Sequence, residues 1–143
     1  EEAAASVVIP SVIGWRAPLY CTALGKIFLA FCDQTADAFL CDSTDLQAIT
    51  PQTITDRAVL SHELRTIREC GYALDREEFH LGNTCLAAPV RDYQNDVVAA
   101  ISISIATSRL VHEPREKFLK AVVDGAWKIS ESIGCSQRRP MLA

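Results

Sequence analysis

Two serine side chains on an alternating segment are the first candidates for chemistry. In the stretch AAISISIA, Ser102 and Ser104 lie two residues apart, and side chains two apart on a β-strand share a face. The isoleucines occupy the other face, and because 97–100 are apolar as well, we predict a strand that is buried on both faces. Buried hydroxyl groups need hydrogen-bond partners. The pair therefore bonds to neighbouring protein or water, or it lines a ligand cavity.

The stretch TALGK is the second candidate. Thr22 is a favourable N-cap for a helix that continues through ALGKIFLAFC. The first turn of a helix has free backbone amides and the positive end of the helix dipole, so it suits a carboxylate or a phosphate. The spacing of a P-loop is absent, which argues against a nucleotide. The alternative is an ordinary capped helix start.

Asp75 and Cys85 form the third candidate, because a sheet rich in hairpins can bring a carboxylate and a thiol to one cavity. A cysteine on a strand is also a common small core residue. As a nucleophile Cys85 needs a base, and the spacing pairs no histidine with it. Asp75, Glu78, His80 and Cys85 have the right chemistry for a metal site, although none of them is paired at i, i+4 on a helix.

Periodicity and turn signals divide the chain into helices and strands. The predicted elements, in order, are a strand over 6–13, a helix after Thr22, a helix over about 35–41, a helix from Thr55 or Asp56 to a left-handed cap at Gly71, a short strand over 72–75, strands over 84–92 and 97–106, and a helix from about 113 or 114 to 133. The two long strands form a hairpin through YQND. This order predicts an α+β fold with helices packed on an antiparallel sheet.

Length, charge and cysteine content limit the possible functions. A chain of 143 residues fits one domain, and a net charge of −4 argues against a broad basic face for nucleic acid. No apolar run is long enough to cross a membrane. Six cysteines without a CxxC pair favour a reduced, cytoplasmic setting. The chain begins with EEAAAS, and we interpret it as part of a longer protein, with a loose tail over 135–143.

Three ordered blocks carry a family resemblance: GWRAPLYCTALGKIFLA, ELRTIRECGYALDREEFHLGNTCLAAPVRD and VVAAISISIATSRL. Over about 12–133 the chain resembles the C-terminal effector-binding domain of the IclR family of bacterial transcription factors. The resemblance implies a GAF-like fold, a curved antiparallel sheet with helices packed about it, and a pocket for a small organic acid between the sheet and a helix start. By position, the pocket residues of the family fall on Ala23, Leu24, Asp75, Cys85, Ser102 and Ser104.

The resemblance also sets expectations for function and partners. The chain, 1–143, is expected to be a sensing domain, trimmed at its N-terminal side, that binds a small organic acid and self-associates to a dimer or tetramer. Operator DNA is expected to bind only through a helix-turn-helix domain that this chain lacks. No catalysis, cofactor or membrane partner is expected. A metal sensor or a Cys85-dependent enzyme is the alternative. We also expect Trp15, Leu19, Tyr20 and Phe79 to shape an apolar wall of the pocket, whereas Asn83 is polar where relatives often have an apolar side chain.

Overall fold

A computed structural model describes residues 14, 16–32, 39 and 45–137 of the chain. The strand predicted over 6–13 lies outside the described residues, as do Trp15 and, apart from Phe39, the helix predicted over about 35–41.

Three α-helices occupy the described ranges: α1 at Ala23–Phe31, α2 at Arg57–Cys70 and α3 at Arg115–Ser132. They begin close to the predicted positions because the sequence contains recognisable cap residues. The Asp56 carboxylate accepts hydrogen bonds from the amides of Ala58 and Val59, and α2 ends at Gly71 in the left-handed conformation, with φ 77°. A short 3-10 helix at Thr107–Val111, which the sequence did not predict, connects the sheet to α3.

The sheet has three antiparallel strands in the order β1-β2-β3: β1 at Ala73–Arg76, β2 at Asn83–Arg91 and β3 at Val97–Ala106. The predicted hairpin of β2 and β3 is confirmed. In its turn Asn95 has φ 72°, and the Asp92 carboxylate accepts hydrogen bonds from the amides of Gln94 and Asp96 at 2.9 and 3.0 Å. The α+β class is therefore confirmed.

The two faces of the sheet carry separate hydrophobic cores. Buried side chains of α1 and α2 pack over one face, on Ala73 and Ala87. On the other face α3 packs against the isoleucines of β3, as the alternation predicts. The spacing of Phe118, Val122, Ala126 and Ile129 predicts that all four face the core, but Ile129 is exposed and Ser130 is buried in its place. The Ser130 hydroxyl donates to the Ala126 carbonyl at 2.8 Å and accepts from the Arg91 amide at 2.9 Å.

The prediction that β3 is buried on both faces is wrong. Ser102 and Ser104 are exposed, and so are Val98 and Ala99. Within the described residues β3 pairs with β2 alone, and Ser102 and Ser104 border a cavity.

The predicted loose tail is ordered at its first residue. Cys135 is buried, and its amide donates to the Ser130 carbonyl at 2.9 Å. Among the described helices, none combines the length and the hydropathy that a membrane span requires.

Candidate functional site

A cavity of about 180 Å³ lies between the start of α1 and the serine face of the sheet. It brings together the six residues onto which the pocket of the family falls by position: Ala23, Leu24, Asp75, Cys85, Ser102 and Ser104. The residues that line the cavity are Ala17, Thr22, Ala23, Leu24, Asp75, Phe79, His80, Asn83, Cys85, Ser102 and Ser104.

The register of the strands places the polar residues of the cavity in rows. Asp75 on β1 pairs with Cys85 on β2, and Cys85 pairs with Ser104 on β3, so a carboxyl, a thiol and a hydroxyl cross the sheet in one line. In the next row Ser102 pairs with Ala87, which is small. Asp75 and Cys85 are therefore close in space, as the sequence predicted, and the small neighbours leave room above the sheet.

The start of α1 borders this space through Thr22, Ala23 and Leu24. The Thr22 hydroxyl accepts a hydrogen bond from the Gly25 amide at 3.2 Å and donates to the Pro18 carbonyl at 2.9 Å. No described residue accepts a hydrogen bond from the amides of Ala23 and Leu24. Free first-turn amides are what an anion needs at a helix start.

Gly25 permits the close approach that forms this helix start. A Cβ atom at this position would lie 2.3 Å from the Leu19 carbonyl oxygen and 2.6 Å from Thr22 Oγ1. Only a residue without a side chain fits there. We did not identify Gly25 from the sequence, and the glycine in TALGK was the only available signal.

Asp75 is the most constrained polar group of the site. Its side chain is 2% exposed, and its Oδ1 accepts hydrogen bonds from the amides of Glu78 at 2.8 Å and Phe79 at 3.4 Å. Its Oδ2 has no hydrogen-bond partner among the described residues. Burial raises the pKa of Asp75 to about 6; the Glu78 charge raises it further, whereas the two amides and Lys26 lower it.

Lys26, the cation of TALGK, points away from the cavity. It is fully buried, and its Nζ lies 2.6 Å from Glu78 Oε1, 3.0 Å from the Leu74 carbonyl and 3.5 Å from Glu63 Oε1. This ammonium holds α1 against α2 and the segment after β1. The sequence showed a lysine within an apolar run but not its partners, which are more than 35 residues away.

Cys85 contributes a neutral thiol to the cavity. Its Sγ accepts a hydrogen bond from Asn83 Nδ2 at 3.1 Å and lies 3.2 Å from Ser104 Oγ. Burial raises the pKa of the Cys85 thiol, which disfavours the thiolate that nucleophilic catalysis needs. Among the described residues no histidine hydrogen-bonds to it, so the geometry gives no support to the enzyme alternative.

The described ranges contain no metal site of the kind that the sequence left open. Asp75, His80 and Cys85 border the cavity. Glu78 does not line it, because its carboxylate forms an ion pair with Lys26. Residues 16–32 and 45–137 contain no group of three or more histidine, cysteine, aspartate or glutamate side chains that could hold a metal ion. A metal sensor built on these four residues is therefore not supported.

The walls of the cavity differ in part from the expectation. Phe79 lines it as expected, and the polar Asn83 does so too. Leu19 and Tyr20 instead pack into the core beside α1, where the Tyr20 hydroxyl donates to the Gln47 carbonyl at 2.8 Å. His80 is an additional wall residue, with its ring 4.4 Å from that of Phe79 between centroids.

Comparison with known proteins identifies relatives of the same architecture. Residues 1–131 match the family model "Bacterial transcriptional regulator IclR C-terminal". The DNA-binding transcriptional repressor YiaJ of Escherichia coli is 41% identical over 128 residues, which are 88% of this chain and 45% of the relative. The chain thus spans about half the length of the curated relatives that it matches.

Solved structures agree with this assignment. The IclR protein of Thermotoga maritima superimposes with a TM-score of 0.78 at 35% identity, covering 90% of this chain and 52% of that one. An inducer-binding domain of PobR from Acinetobacter, a double mutant in complex with 3-hydroxybenzoic acid, gives a TM-score of 0.68 at 28% identity, covering 80% and 68%. The chain belongs to the IclR C-terminal family of bacterial transcriptional regulators.

Proposed function

We propose that this domain senses a short organic acid and that the cavity beside α1 is the binding site. The ligand carboxylate lies between the amides of Ala23 and Leu24 and the hydroxyls of Ser102 and Ser104. Asp75 faces the oxygen-bearing group next to that carboxylate. In the complete regulator, acid binding changes the affinity of a separate DNA-binding domain for its operator.

One observation carries the proposal: two free helix-start amides and two serine hydroxyls converge on the same cavity. The amides carry the positive end of the α1 dipole, and each hydroxyl can donate a hydrogen bond. Together they can replace the water around one carboxylate. A volume of about 180 Å³ and the apolar walls from Leu24 and Phe79 favour a small ligand with few polar groups.

The PobR relative supports the chemical class. Its inducer-binding domain is described in complex with 3-hydroxybenzoic acid, a carboxylic acid with a second oxygen function. The cavity here offers a partner for each of these two groups. The start of α1 can donate hydrogen bonds to a carboxylate, and Asp75 on β1 is a polar partner for the second oxygen. We therefore expect a 2-oxo acid, a hydroxy acid or a small aromatic hydroxy acid.

A thermal-shift screen tests the proposal with glyoxylate, pyruvate, lactate and 3-hydroxybenzoate. An acid at about 100 times its Kd should stabilise the protein by about 2.7 kcal/mol, because it binds the folded state only. The double variant Ser102→Ala/Ser104→Ala should lose this stabilisation and still fold, since both hydroxyls are exposed.

The matched control is Ser108→Ala/Ser136→Ala, which removes two exposed hydroxyls that do not line the cavity. This variant should respond to the acid like the unmodified protein. An undiminished response of the Ser102/Ser104 variant would show that the acid binds elsewhere, and no response of the unmodified protein to any of the acids would overturn the proposed class of ligand.

A further inference from the structure

Among the described residues, no cationic side chain borders the cavity to balance an acid. Neither lysine nor arginine occurs among the described residues that line it, and the titratable ones are Asp75, His80 and Cys85. A bound carboxylate and an ionised Asp75 would place two negative charges in a space of about 180 Å³. Two carboxylates that share one site do not both stay ionised at neutral pH unless a cation compensates them.

In the part of the chain that the structure describes, the ammonium group that faces Asp75 is already paired. From α1, Lys26 faces it, but this ammonium is bound to Glu78 at 2.6 Å and lies 3.5 Å from Glu63 of α2. On the segment after β1, the Oε2 atom of Glu78 is buried without a hydrogen-bond partner in the described part of the chain.

The other described groups that face Asp75 are two thiols and one histidine. Cys85 on β2 and Cys21 before α1 are thiols, and burial raises the pKa of both, that of Cys21 to about 12. His80 borders the same cavity, so a variant of His80 is needed to distinguish it from Asp75 as the proton carrier.

We propose that the cavity takes up one proton with each acid that it binds, and that Asp75 carries this proton and donates a hydrogen bond from Oδ2 to the ligand. The proposal rests on the proposed function. Proton uptake explains how the described residues can hold an acid without an arginine. The ligand remains an anion that the amides and hydroxyls bind, while the Asp75 carboxyl becomes neutral.

The geometry of Asp75 suits this role. Oδ1 already accepts two backbone hydrogen bonds, so the proton belongs on Oδ2, which has no partner among the described residues. A neutral carboxyl can donate one hydrogen bond, and a 2-oxo or 2-hydroxy oxygen can accept it. Even without a ligand, burial already raises the pKa of Asp75 to about 6. A second anion in the cavity raises it further.

Calorimetry with pyruvate and glyoxylate, both of which stay ionised over the range used, tests the proposal. Titrations at pH 7.5 in phosphate and in Tris, whose heats of ionisation differ, should show uptake close to one proton per ligand. At pH 5, where Asp75 is already largely protonated, the uptake should fall towards zero. The affinity should weaken by up to tenfold per pH unit between about pH 6 and pH 8.

Two variants assign the proton to a residue. In Asp75→Asn, whatever its absolute affinity, proton uptake should be lost and the affinity should change less than about twofold over the same range. In His80→Gln, proton uptake and the pH dependence should persist. Loss of both in His80→Gln, or their persistence in Asp75→Asn, would overturn the proposal.

The outcomes separate this inference from the proposed function. Binding without proton uptake contradicts the inference and leaves the sensing function intact. Failure of both acids to bind, together with the rest of the screen, overturns the sensing function and the inference with it. Carbon-13 NMR of the aspartate carboxyls provides a second measurement: Asp75 should titrate near pH 6 in the free protein and at a higher pH with pyruvate bound, and a midpoint that does not rise on binding would refute the proposal.

Discussion

At the scale of single residues, Asp75 makes the stability of the free domain depend on pH. Its pKa is raised to about 6 in the fold, from 3.8 in an unperturbed carboxyl, so the folded state binds the proton more tightly than the unfolded state. The resulting stabilisation is fully present below about pH 4 and is lost as the pH rises through about 6. Above that pH the buried charge costs the fold on the order of 1–3 kcal/mol.

Asp75→Asn should remove this dependence. The Asn oxygen can still accept hydrogen bonds from the amides of Glu78 and Phe79, and the pair of Lys26 and Glu78 stays intact. We expect the variant to equal or exceed the unmodified protein in unfolding free energy at pH 7.5 and to lose that advantage near pH 4.5. Urea denaturation at both pH values measures this. An equal loss of stability at both values would show that the charge of Asp75 is not penalised in the fold.

At the scale of elements, the approach of residues 16–22 to α1 depends on one glycine. Alanine in place of glycine within a helix ordinarily stabilises a protein by about 0.5–1 kcal/mol. In Gly25→Ala the new Cβ would meet the Leu19 carbonyl oxygen at 2.3 Å, so we expect a loss on the order of 1–3 kcal/mol instead. The displaced helix start should also weaken acid binding.

A second helical glycine provides the control for this substitution. In α3, a Cβ at Gly125 would meet only Ile101 Cδ1, at 3.2 Å, and this terminal methyl group can move. Gly125→Ala should therefore be close to neutral in urea denaturation and should not affect the response to an acid. If both alanine variants lose the same stability, crowding at the start of α1 is not the cause.

The same elements show how far sequence reasoning reaches. The period of two that separates Ser102 from Ile103, the N-cap at Thr22 and the left-handed cap at Gly71 are local signals, and each appears in the structure where it was expected. The exposure of Ser102 is not local, because it depends on what lies across the sheet. The partners of Lys26 are equally remote, since they come from α2 and from the residues around β1.

The residues of the candidate site could therefore be predicted from the sequence, but the charges around them could not. The family resemblance supplied the six residues that share the cavity, and strand register explains why three of them form a row. Composition could not show that the lysine of TALGK is neutralised in the core, nor that His80 borders the cavity while Tyr20 does not. These facts decide which charge an acid meets, and they emerge only when the helices are packed on the sheet.

At the scale of the whole molecule, sensing requires that acid and DNA affect each other. An acid can change DNA affinity only if it binds one arrangement of the regulator better than another, and the coupling is reciprocal. For the complete regulator we expect the acid to change the affinity for a DNA site, selected by that protein from a random-sequence library, by about 5- to 150-fold. DNA at saturation should change the acid affinity by the same factor.

Fluorescence anisotropy and calorimetry on the complete regulator measure the two sides of this coupling. Ser102→Ala/Ser104→Ala in the same protein should keep its DNA affinity without acid and lose the response, because the hydroxyls face the cavity. The present chain alone, with a net charge of −4, should not bind the DNA site. If the regulator binds the acid in this cavity but its DNA affinity is the same with and without acid, the cavity is a ligand site without a sensing role. A ligand that binds two arrangements of a protein equally well does not shift the equilibrium between them.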